Sequence, residues 1–538
     1  MKKLALFLFM GLMYLGSAQV EDAWVYFTDK PDVDEALANP ISILTQNAID
    51  RKSVHNIAID ERDVPVNENY ITQLKNTAGV IVIAKSKWFN CVFVRAEKSI
   101  IDNLLNLNFV SSIDFANKTL NTRQITMTKV QSQGNNNKFE AKTSFNYGSA
   151  AAQIQQLNAH YLHEQDFTGR GMVMAIMDSG FPGVNTISGF KRIRDEGRLL
   201  DGYDFVNRND NEFNSTGSSH GTQTFSDIAG FIDGQFVGTA PDASYYLFVT
   251  EDVGTEGPHE EAFWVEAAER ADSLGVDVIN TSLGYSNGFD NPAYEYDTTD
   301  MDGQTAFISK GANIAFEKGM LLVVSAGNSG NSFWGIITAP GDAPGVLTVG
   351  AVNSSGQYVS FSSRGPTADN RIKPDVMARG SSAAVISSSN VVTTSNGTSF
   401  SSPIMAGAVT CLWQAFPDMT NTEIMQLIKE SANLYNNPNS QMGYGIPDFR
   451  AILENLSVVD NQQQNLIIYP NPTEDRLFIE IPLEDYVVNI YTIDGRLIQH
   501  QESGDLDYIS LEDFSDGLYL VEIEAKNLHQ VSRITSGH

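Results

Sequence analysis

Three apolar runs in the middle of this 538-residue chain constrain its fold more than any other feature. Met172–Met177, Val276–Asn280 and Leu321–Ser325 are strand-like, and each is followed at once by small or polar turn residues. Helical stretches alternate with these runs. Two of the three are near-continuous apolar runs, as is typical of parallel strands that are buried on both faces. Residues 147–455 are therefore predicted to form an α/β fold with a doubly wound parallel sheet.

The regions on either side have a different character. Residues 19–115 have the pattern of a small α+β unit, and residues 116–146 are polar, as in an exposed linker that proteases cut. A second polar connector is predicted at 456–465. Residues 466–538 are strand-like, with Asp494-Gly495 as a hairpin signal, and predict a C-terminal all-β sandwich.

Charge and cysteine content exclude several classes of protein. Asp and Glu number 65 against 35 Lys and Arg, which gives a net charge of -30. A general nucleic-acid binder needs a basic surface, so we expect no nucleic-acid partner. Cys91 and Cys411 are too few for a disulfide scaffold or a Cys-rich zinc site. We expect two buried thiols; the alternative is a bridge between residues 19–115 and the central domain.

The N-terminus has the pattern of a secretory signal peptide, residues 1–18. Lys2 and Lys3 precede an apolar stretch from Leu4 to Leu15, and small residues follow. A membrane anchor is the alternative, but the stretch is short for a hydrocarbon core of about 30 Å. No other run of about 18 apolar residues follows, so we expect a secreted mature chain without a membrane span.

Residue types suited to acyl transfer occur in three short segments. They are Asp178-Ser179-Gly180, Ser219-His220-Gly221-Thr222 and the stretch from Gly397 to Pro403. A serine hydroxyl is a weak nucleophile until a histidine takes its proton, and a carboxylate fixes the tautomer of that histidine. In doubly wound sheets such sites lie beyond the carboxyl ends of the strands.

The position of Ser399 relative to a helix can also be predicted. An apolar helix is expected from Ile404 to Trp413, and Pro403 is a residue tolerated in a first helical turn. We therefore predict that Ser399 lies just before this helix. Backbone N–H groups and a partial positive charge would then point at the serine.

These segments resemble the three sequence boxes of the subtilisin-like serine proteases, the peptidase S8 family. The order Asp178, His220, Ser399 and the flanking glycines are those of the family. The resemblance implies that these three residues form the catalytic triad. It also implies an oxyanion-hole role for Asn328 in Ser325-Ala-Gly-Asn328. The substrate-binding residues that it implies are Ser282, Leu283, Gly284, Ser325, Ala326 and Gly327.

The flanking regions resemble accessory domains of secreted proteases. Residues 19–115 are similar, in position and pattern, to an inhibitory propeptide, which implies a zymogen cut by itself within 117–147. Tyr469-Pro-Asn-Pro472, Asp494-Gly-Arg496 and Gly517-Leu-Tyr519 resemble motifs of the C-terminal sorting domain of type IX secretion cargo of Bacteroidetes. The implied partners are polypeptide substrates, the chain's own prodomain and the secretion machinery.

The sequence therefore predicts a secreted or cell-surface serine endopeptidase that works through an acyl-enzyme and requires no cofactor. The alternatives are a catalytically inactive surface-binding protein on a protease scaffold and an esterase with the same triad. Residues 286–312 exceed the compact core of the family and are expected to edge the cleft. Within them, the acidic Asp297–Asp302 is either a structural calcium site or a solvated loop.

Overall fold

The computed structural model describes residues 19–121, 145–213, 217–464, 467–473, 475–480, 486–493, 496–502, 508–512, 514–525 and 528–537. The predicted signal peptide and residues 122–144 of the predicted linker lie outside this part of the chain. The chain divides into two compact units, one reaching to Arg450 and one starting at Ala451.

The N-terminal region of the first unit is an antiparallel sheet with helices. Its elements are β1 (Val20–Phe27), α1 (Val33–Ala38), α2 (Gln46–Val54), α3 (Glu68–Lys75), β2 (Ile81–Ser86), β3 (Cys91–Glu97), α4 (Lys98–Asn103) and β4 (Val110–Phe115). The strand order is β2-β3-β1-β4. Every neighbouring pair in this sheet is antiparallel.

This sheet is apolar on both faces, and each face packs on a different partner. Side chains of a strand alternate between the two faces. Val92 and Val94 of β3 pack against α3 and α4 in one cluster. Cys91 and Phe93, with Trp24 of β1, join a second cluster that includes helices of the central region. The N-terminal sheet and the central region therefore share a hydrophobic core.

The central region follows the α/β prediction. Its elements are α5 (Ala151–Gln156), α6 (His160–Glu164), β5 (Val173–Asp178), α7 (Lys191–Asp195), β6 (Leu199–Asp204), α8 (His220–Ala229), β7 (Phe231–Ile232), β8 (Phe236–Val237), β9 (Ser244–Val249), α9 (Pro258–Leu274), β10 (Val278–Thr281), α10 (Phe307–Glu317), β11 (Leu321–Ser325), β12 (Val346–Val352), β13 (Val376–Arg379), β14 (Ala383–Ile386), β15 (Val392–Ser395), α11 (Thr398–Ala415) and α12 (Asn421–Ser431).

Seven of these strands form one parallel sheet, in the order β13-β12-β11-β10-β5-β9-β6. All its neighbouring strands run parallel. Helices α8 and α11 pack on each other and on the sheet, as do α9 and α10. From β5 the chain goes to the edge strand β6, returns as β9 beside β5, and then extends the sheet on the other side from β10 to β13. The topological switch point therefore lies between β5 and β10, and α/β proteins place their sites at such points.

Helix α9 has clear start and stop signals. Pro258 is its first residue, and the Glu260 carboxylate accepts a hydrogen bond of 3.0 Å from Gly257 N–H. Proline at this position and a reciprocal acidic cap both favour a helix start. Gly275 ends the helix at φ 85°, a left-handed conformation that costs glycine little.

The second unit begins within a helix whose first two residues, Phe449 and Arg450, belong to the first unit, and it continues as antiparallel strands. Its elements are α13 (Phe449–Gln464), β16 (Ile467–Tyr469), β17 (Arg476–Glu480), β18 (Tyr486–Thr492), β19 (Leu497–Glu502), β20 (Ile509–Ser510), β21 (Gly517–Ala525) and β22 (Leu528–Ser536). The strands form two sheets, β16-β17-β20 and β19-β18-β21-β22. The residues of the predicted linker 456–465 belong to α13 as far as Gln464.

Both cysteines are buried and unpaired, as expected from the sequence. In the described residues, no helix is both long enough and apolar enough to cross a membrane.

Candidate active site

Neighbouring parallel strands bring the predicted site residues to one edge of the sheet. Asp178 is the last residue of β5, and Ser282–Gly284 follow β10 directly. Ser325 is the last residue of β11, with Ala326, Gly327 and Asn328 next in the chain. Because β5, β10 and β11 are adjacent and parallel, their carboxyl ends lie together. Helices α8 and α11 add His220 and Ser399 from their first turns.

The Asp178 carboxylate is buried and accepts hydrogen bonds from three residues. Ser179 donates from its backbone N–H at 2.7 Å and from its hydroxyl at 3.1 Å. Thr224 Oγ1 donates to Oδ2 at 3.0 Å. His220 Nδ1 lies 2.8 Å from Oδ1 and 3.0 Å from Oδ2. Asp178 is 1% exposed, so these bonds fix its orientation.

His220 is the first residue of α8, and its neighbours explain the sequence around it. Residues four apart share a helix face, so Thr224 reaches the same carboxylate as His220. Gly221 packs so tightly that an added Cβ would lie 2.5 Å from the Gly180 carbonyl oxygen and 3.0 Å from Asp178 Cβ. Only glycine lets the start of α8 approach the end of β5 this closely.

The Asp178 contact determines which nitrogen of His220 carries a proton. A carboxylate only accepts, so Nδ1 must donate, and Nε2 keeps its lone pair in the neutral ring. Burial lowers the pKa of His220, but the charge and hydrogen bond of Asp178 outweigh it and raise that pKa above its ordinary 6.5. Asp178 therefore both orients the imidazole and stabilises its protonated form.

The structure corrects the predicted position of Ser399. Helix α11 begins at Thr398, so Ser399 lies inside its first turn, and Pro403 lies further along the helix rather than at its start. The predicted start near Ile404 is wrong. At this sixth position proline removes the N–H that would bond the Ser399 carbonyl, one turn earlier, and its ring crowds that carbonyl. Backbone N–H groups of that turn still surround the serine.

Helix α11 brings the residue after Ser399 beside His220. The ring of Phe400, the next residue, lies 5.8 Å from the His220 ring between centroids. Ser399 is 8% exposed. Among the hydrogen bonds of the described residues, none joins Ser399 Oγ to His220. Catalytic hydrogen bonds are often long without substrate and tighten when it binds.

Asn328 is oriented by Thr398, the residue before Ser399. Its side-chain oxygen accepts hydrogen bonds from Thr398 N–H at 2.8 Å and from Thr398 Oγ1 at 3.1 Å. Gly327 N–H donates to the same hydroxyl at 3.2 Å. With its oxygen turned to Thr398, the amide has its NH₂ group free to donate elsewhere. Gly327 has φ +95°, and a Cβ there would lie 2.9 Å from the Ser363 and Thr338 hydroxyls.

The two predicted substrate-binding segments contact each other. Ser325 Oγ donates to the Leu283 carbonyl at 3.5 Å. An added Cβ at Gly284 would lie 2.4 Å from Thr338 Oγ1, so glycine is required there. Tyr285 then exchanges two backbone hydrogen bonds with Ala339, of 2.8 and 3.0 Å. These contacts hold the wall after β10 beside the segment that carries Asn328.

Sequence reasoning missed Thr224 and Thr398, whose hydroxyls orient Asp178 and Asn328. The spacing of four residues from His220 was the available signal for Thr224. Thr398 stands in the stretch from Gly397 to Pro403, but local pattern does not show its role, because its partners Gly327 and Asn328 lie on another segment about 70 positions away.

The acidic segment 297–302 does not fit a calcium site. Asp300 Oδ2 accepts hydrogen bonds from Asp297 N–H and from the Lys118 ammonium. The Asp302 carboxylate accepts from Gln304 N–H, Thr305 N–H and Thr305 Oγ1. These donors use Asp300 Oδ2 and both oxygens of Asp302, which favours the solvated loop over a calcium site. Across the described residues, no group of three His, Cys, Asp or Glu side chains could hold a metal ion.

Comparison with known proteins identifies the family of this α/β chain. The chain belongs to the subtilase family (peptidase S8), whose model matches residues 169–445, more than half of the chain. A model of the peptidase S8 propeptide domain of Bacteroidota matches residues 22–135. A model of a secretion system C-terminal sorting domain matches residues 467–536. The three resemblances drawn from the sequence are confirmed.

Individual relatives match about half of the chain. Subtilisin E of Bacillus subtilis (strain 168) is 30% identical over 290 residues, 53% of this chain and 66% of that protein. Serine protease AprX of the same organism is 28% identical over 301 residues, 50% of this chain and 63% of that protein. The chain thus spans just under two thirds of the length of these relatives. The crystal structure of MycP1 from Mycobacterium smegmatis is 25% identical, with TM-score 0.44, and covers 60% of this chain and 90% of its own.

The C-terminal match also gives the location of the protein. A secretion system sorting domain marks the chain as secreted or attached to the cell surface, by type IX secretion. This agrees with the localisation predicted from the sequence.

Proposed function

We propose that the chain is a secreted serine endopeptidase made as a self-processed zymogen. In this proposal residues 1–18 are a signal peptide, 19–115 an inhibitory prodomain and 116–146 a linker that the enzyme itself cuts. Residues 147–455 form the catalytic domain, and 466–538 the sorting domain after a connector at 456–465. The substrates are polypeptides, and the secretion machinery and the prodomain are the other partners.

The bond between buried Asp178 and His220 is the observation that carries this proposal. With Nδ1 as the donor at 2.8 Å, the Nε2 lone pair is available to accept a proton from Ser399 Oγ. Ser399 then attacks the scissile carbonyl and forms an acyl-enzyme. His220 next gives the proton to the leaving amine, and a water molecule, activated in the same way, releases the second product.

Asn328 and the backbone N–H of Ser399 form the proposed oxyanion hole. Thr398 holds the Asn328 oxygen, which leaves the Asn328 NH₂ group to donate to the developing oxyanion. Donors fixed in advance need no rearrangement when the negative charge forms, which is why they accelerate the reaction. Ser282–Gly284 and Ser325–Gly327 would bind the substrate backbone on either side. All groups come from the chain itself, so the proposed reaction needs no cofactor.

Hydrolysis of an unstructured protein by the purified chain, with Ser399→Ala as control, tests this proposal. We expect the wild type to cleave the protein and to react with a fluorophosphonate probe, and Ser399→Ala to do neither. A folded wild type that cleaves nothing would favour a surface-binding protein on a protease scaffold. Cleavage of esters but not of peptides would favour an esterase.

A further inference from the structure

A lysine at the start of the predicted linker lies in an open pocket on the surface of the catalytic domain, where its side chain is 39% exposed. The Lys118 ammonium lies 2.5 Å from Asp300 Oδ2, 3.4 Å from the Glu295 carbonyl oxygen and 4.0 Å from the centre of the Tyr296 ring. A carboxylate, a carbonyl oxygen and an aromatic face are three groups that attract a cation. The pocket therefore recognises an ammonium group by three independent contacts.

The pocket is held in place by contacts that do not involve Lys118. Asp300 Oδ2 also accepts a hydrogen bond of 2.8 Å from Asp297 N–H. The Tyr296 hydroxyl donates to buried Glu261 at 2.8 Å, and Tyr296 is 7% exposed. The Glu295 carboxylate accepts from Gly288 N–H at 3.0 Å. Each of the three binding residues is thus also held by a hydrogen bond within the catalytic domain.

The pocket adjoins the proposed substrate wall. Ser286 comes two residues after Gly284, the end of that wall, and its carbonyl accepts a hydrogen bond of 3.0 Å from Tyr296 N–H. Residues 286–296 therefore form a loop whose two ends meet at the wall. A peptide that lies along Ser282–Gly284 and continues past them reaches this loop.

The predicted linker, which is the segment proposed to be cut, carries the positive charges that this pocket attracts. In a chain of net charge -30, residues 116–146 are basic, with Lys118, Arg123, Lys129, Lys138 and Lys142 against Glu140 alone. Lys118 is fixed on the prodomain side, because the Asn121 side chain makes hydrogen bonds of 2.7 and 2.8 Å to the Phe115 backbone. Cleavage anywhere after Asn121 would release Lys118 together with the prodomain.

We propose that Glu295, Tyr296 and Asp300 form a subsite for a lysine or arginine side chain of polypeptide substrates. Lys118 fills it in the unprocessed chain, and loss of the prodomain vacates it. Lys118 lies N-terminal to the linker residues that are cut, so the subsite serves the N-terminal side of the scissile bond. This inference rests on the endopeptidase function proposed above and adds a substrate preference to it.

Peptide hydrolysis by the processed enzyme tests the subsite. The probes are peptides that differ only in having Lys or Gln at one position, moved stepwise along the N-terminal side of the cut bond. At one position we expect Lys to raise kcat/KM about 5–10-fold, mainly through KM, as an exposed ion pair and a cation–π contact together would. In Asp300→Asn the ratio of kcat/KM for the Lys peptide to that for the Gln peptide, called the Lys-to-Gln ratio, should fall to about 2 or less. The amide can still accept the hydrogen bond from Asp297 N–H, but the negative charge is lost.

Asp297→Asn is the matched control. It removes the same charge three residues away, where the side chain is exposed and does not contact Lys118, so the Lys-to-Gln ratio should stay at the wild-type value. A wild type with no preference for Lys at any position would overturn the proposal. So would a Lys-to-Gln ratio that Asp300→Asn leaves unchanged.

A second measurement separates failure of the subsite from failure of the proposed function. If the wild type hydrolyses none of the peptides, the endopeptidase proposal fails. The pocket is then tested by measuring how tightly the prodomain binds to the rest of the Ser399→Ala chain, after an added protease has cut the linker. Lys118→Gln and Asp300→Asn should each then raise the dissociation constant of the prodomain about 5–10-fold. Unchanged dissociation constants would overturn the pocket itself.

Discussion

At the scale of single residues, the Thr398 hydroxyl links the segment that carries Asn328 to the start of α11, which carries Ser399. It donates to Asn328 Oδ1 and accepts from Gly327 N–H, while Ser399 follows it in the chain. The orientation of the Asn328 amide thus depends on a residue that would touch neither substrate nor oxyanion. Thr398 is a positioning residue in this account.

Substitutions at Asn328 and Thr398 should have graded effects on turnover. Asn328→Ala removes one oxyanion donor and should lower kcat about 100- to 1000-fold, with little change in KM. Thr398→Val keeps the shape and the backbone bond to Asn328 but loses the hydroxyl, so we expect a smaller loss of about tenfold. Steady-state kinetics on a peptide substrate measures both. A larger loss for Thr398→Val than for Asn328→Ala would contradict this order of roles.

Individual site residues differ in how far the sequence could predict them. Asp178, His220 and Asn328 stand in short boxes directly after strands or at a helix start, so local pattern finds them. Pro403 predicts the start of α11 wrongly, because proline is usual in a first helical turn, whereas here it is the sixth residue of the helix. Thr398 depends on contacts between distant segments, which local pattern does not encode.

At the scale of elements, buried ion pairs join the prodomain to the catalytic domain. Lys52 of α2 lies 2.8 Å from Asp272 of α9 and 3.2 Å from Asp63, and Lys318 lies 2.8 Å from Asp63. All four side chains are at most 1% exposed. Removing one partner leaves a buried charge without compensation, which is costly.

Lys52→Ala in the Ser399→Ala chain should therefore lower the free energy of unfolding by about 3–5 kcal/mol. Lys85→Ala is the control, because Lys85 pairs with Glu68 on the prodomain surface, where both side chains are well exposed. Such a pair contributes about 1 kcal/mol or less. Urea unfolding compares the two variants. Equal losses of stability would refute the role given to the buried network.

The turn between β2 and β3 makes prodomain docking dependent on pH. Glu269 of α9 accepts hydrogen bonds from Ser86 Oγ at 2.5 Å and from the N–H groups of Lys87 and Trp88 at 2.9 Å. Burial raises the pKa of Glu269 from 4.5 to about 7, and these hydrogen bonds and Lys87 oppose that rise only in part. The docked state therefore holds the Glu269 proton more tightly than a solvated glutamate does.

A pKa that is higher in the docked state makes docking favourable at low pH and weaker as pH rises. The part of the docking free energy that protonated Glu269 contributes is fully present below about pH 4.5 and is lost as pH rises through about 7. We expect the prodomain of a nicked Ser399→Ala chain to dissociate more readily at about pH 8 than at about pH 6. Glu269→Gln should reduce this difference. Binding measured at both pH values checks it, and a difference that Glu269→Gln leaves intact would exclude Glu269 as its cause.

At the scale of the whole molecule, the sequence predicted the architecture better than the contacts between its parts. The parallel sheet could be predicted because buried parallel strands are apolar along their whole length, as in Leu321–Ser325. The shared core of Trp24 with the central region, and the pocket for Lys118, could not. They join positions far apart in the chain, and no local periodicity reports such pairs.

The central claim is that Ser399 is a working nucleophile that cuts its own linker. Intact-mass spectrometry of the purified wild type beside Ser399→Ala, followed over time, tests it most directly. We expect the wild type to lose an N-terminal fragment that ends within 117–147, and Ser399→Ala to keep it. Retention of the fragment by both chains, or its loss from both at the same rate, would contradict the claim.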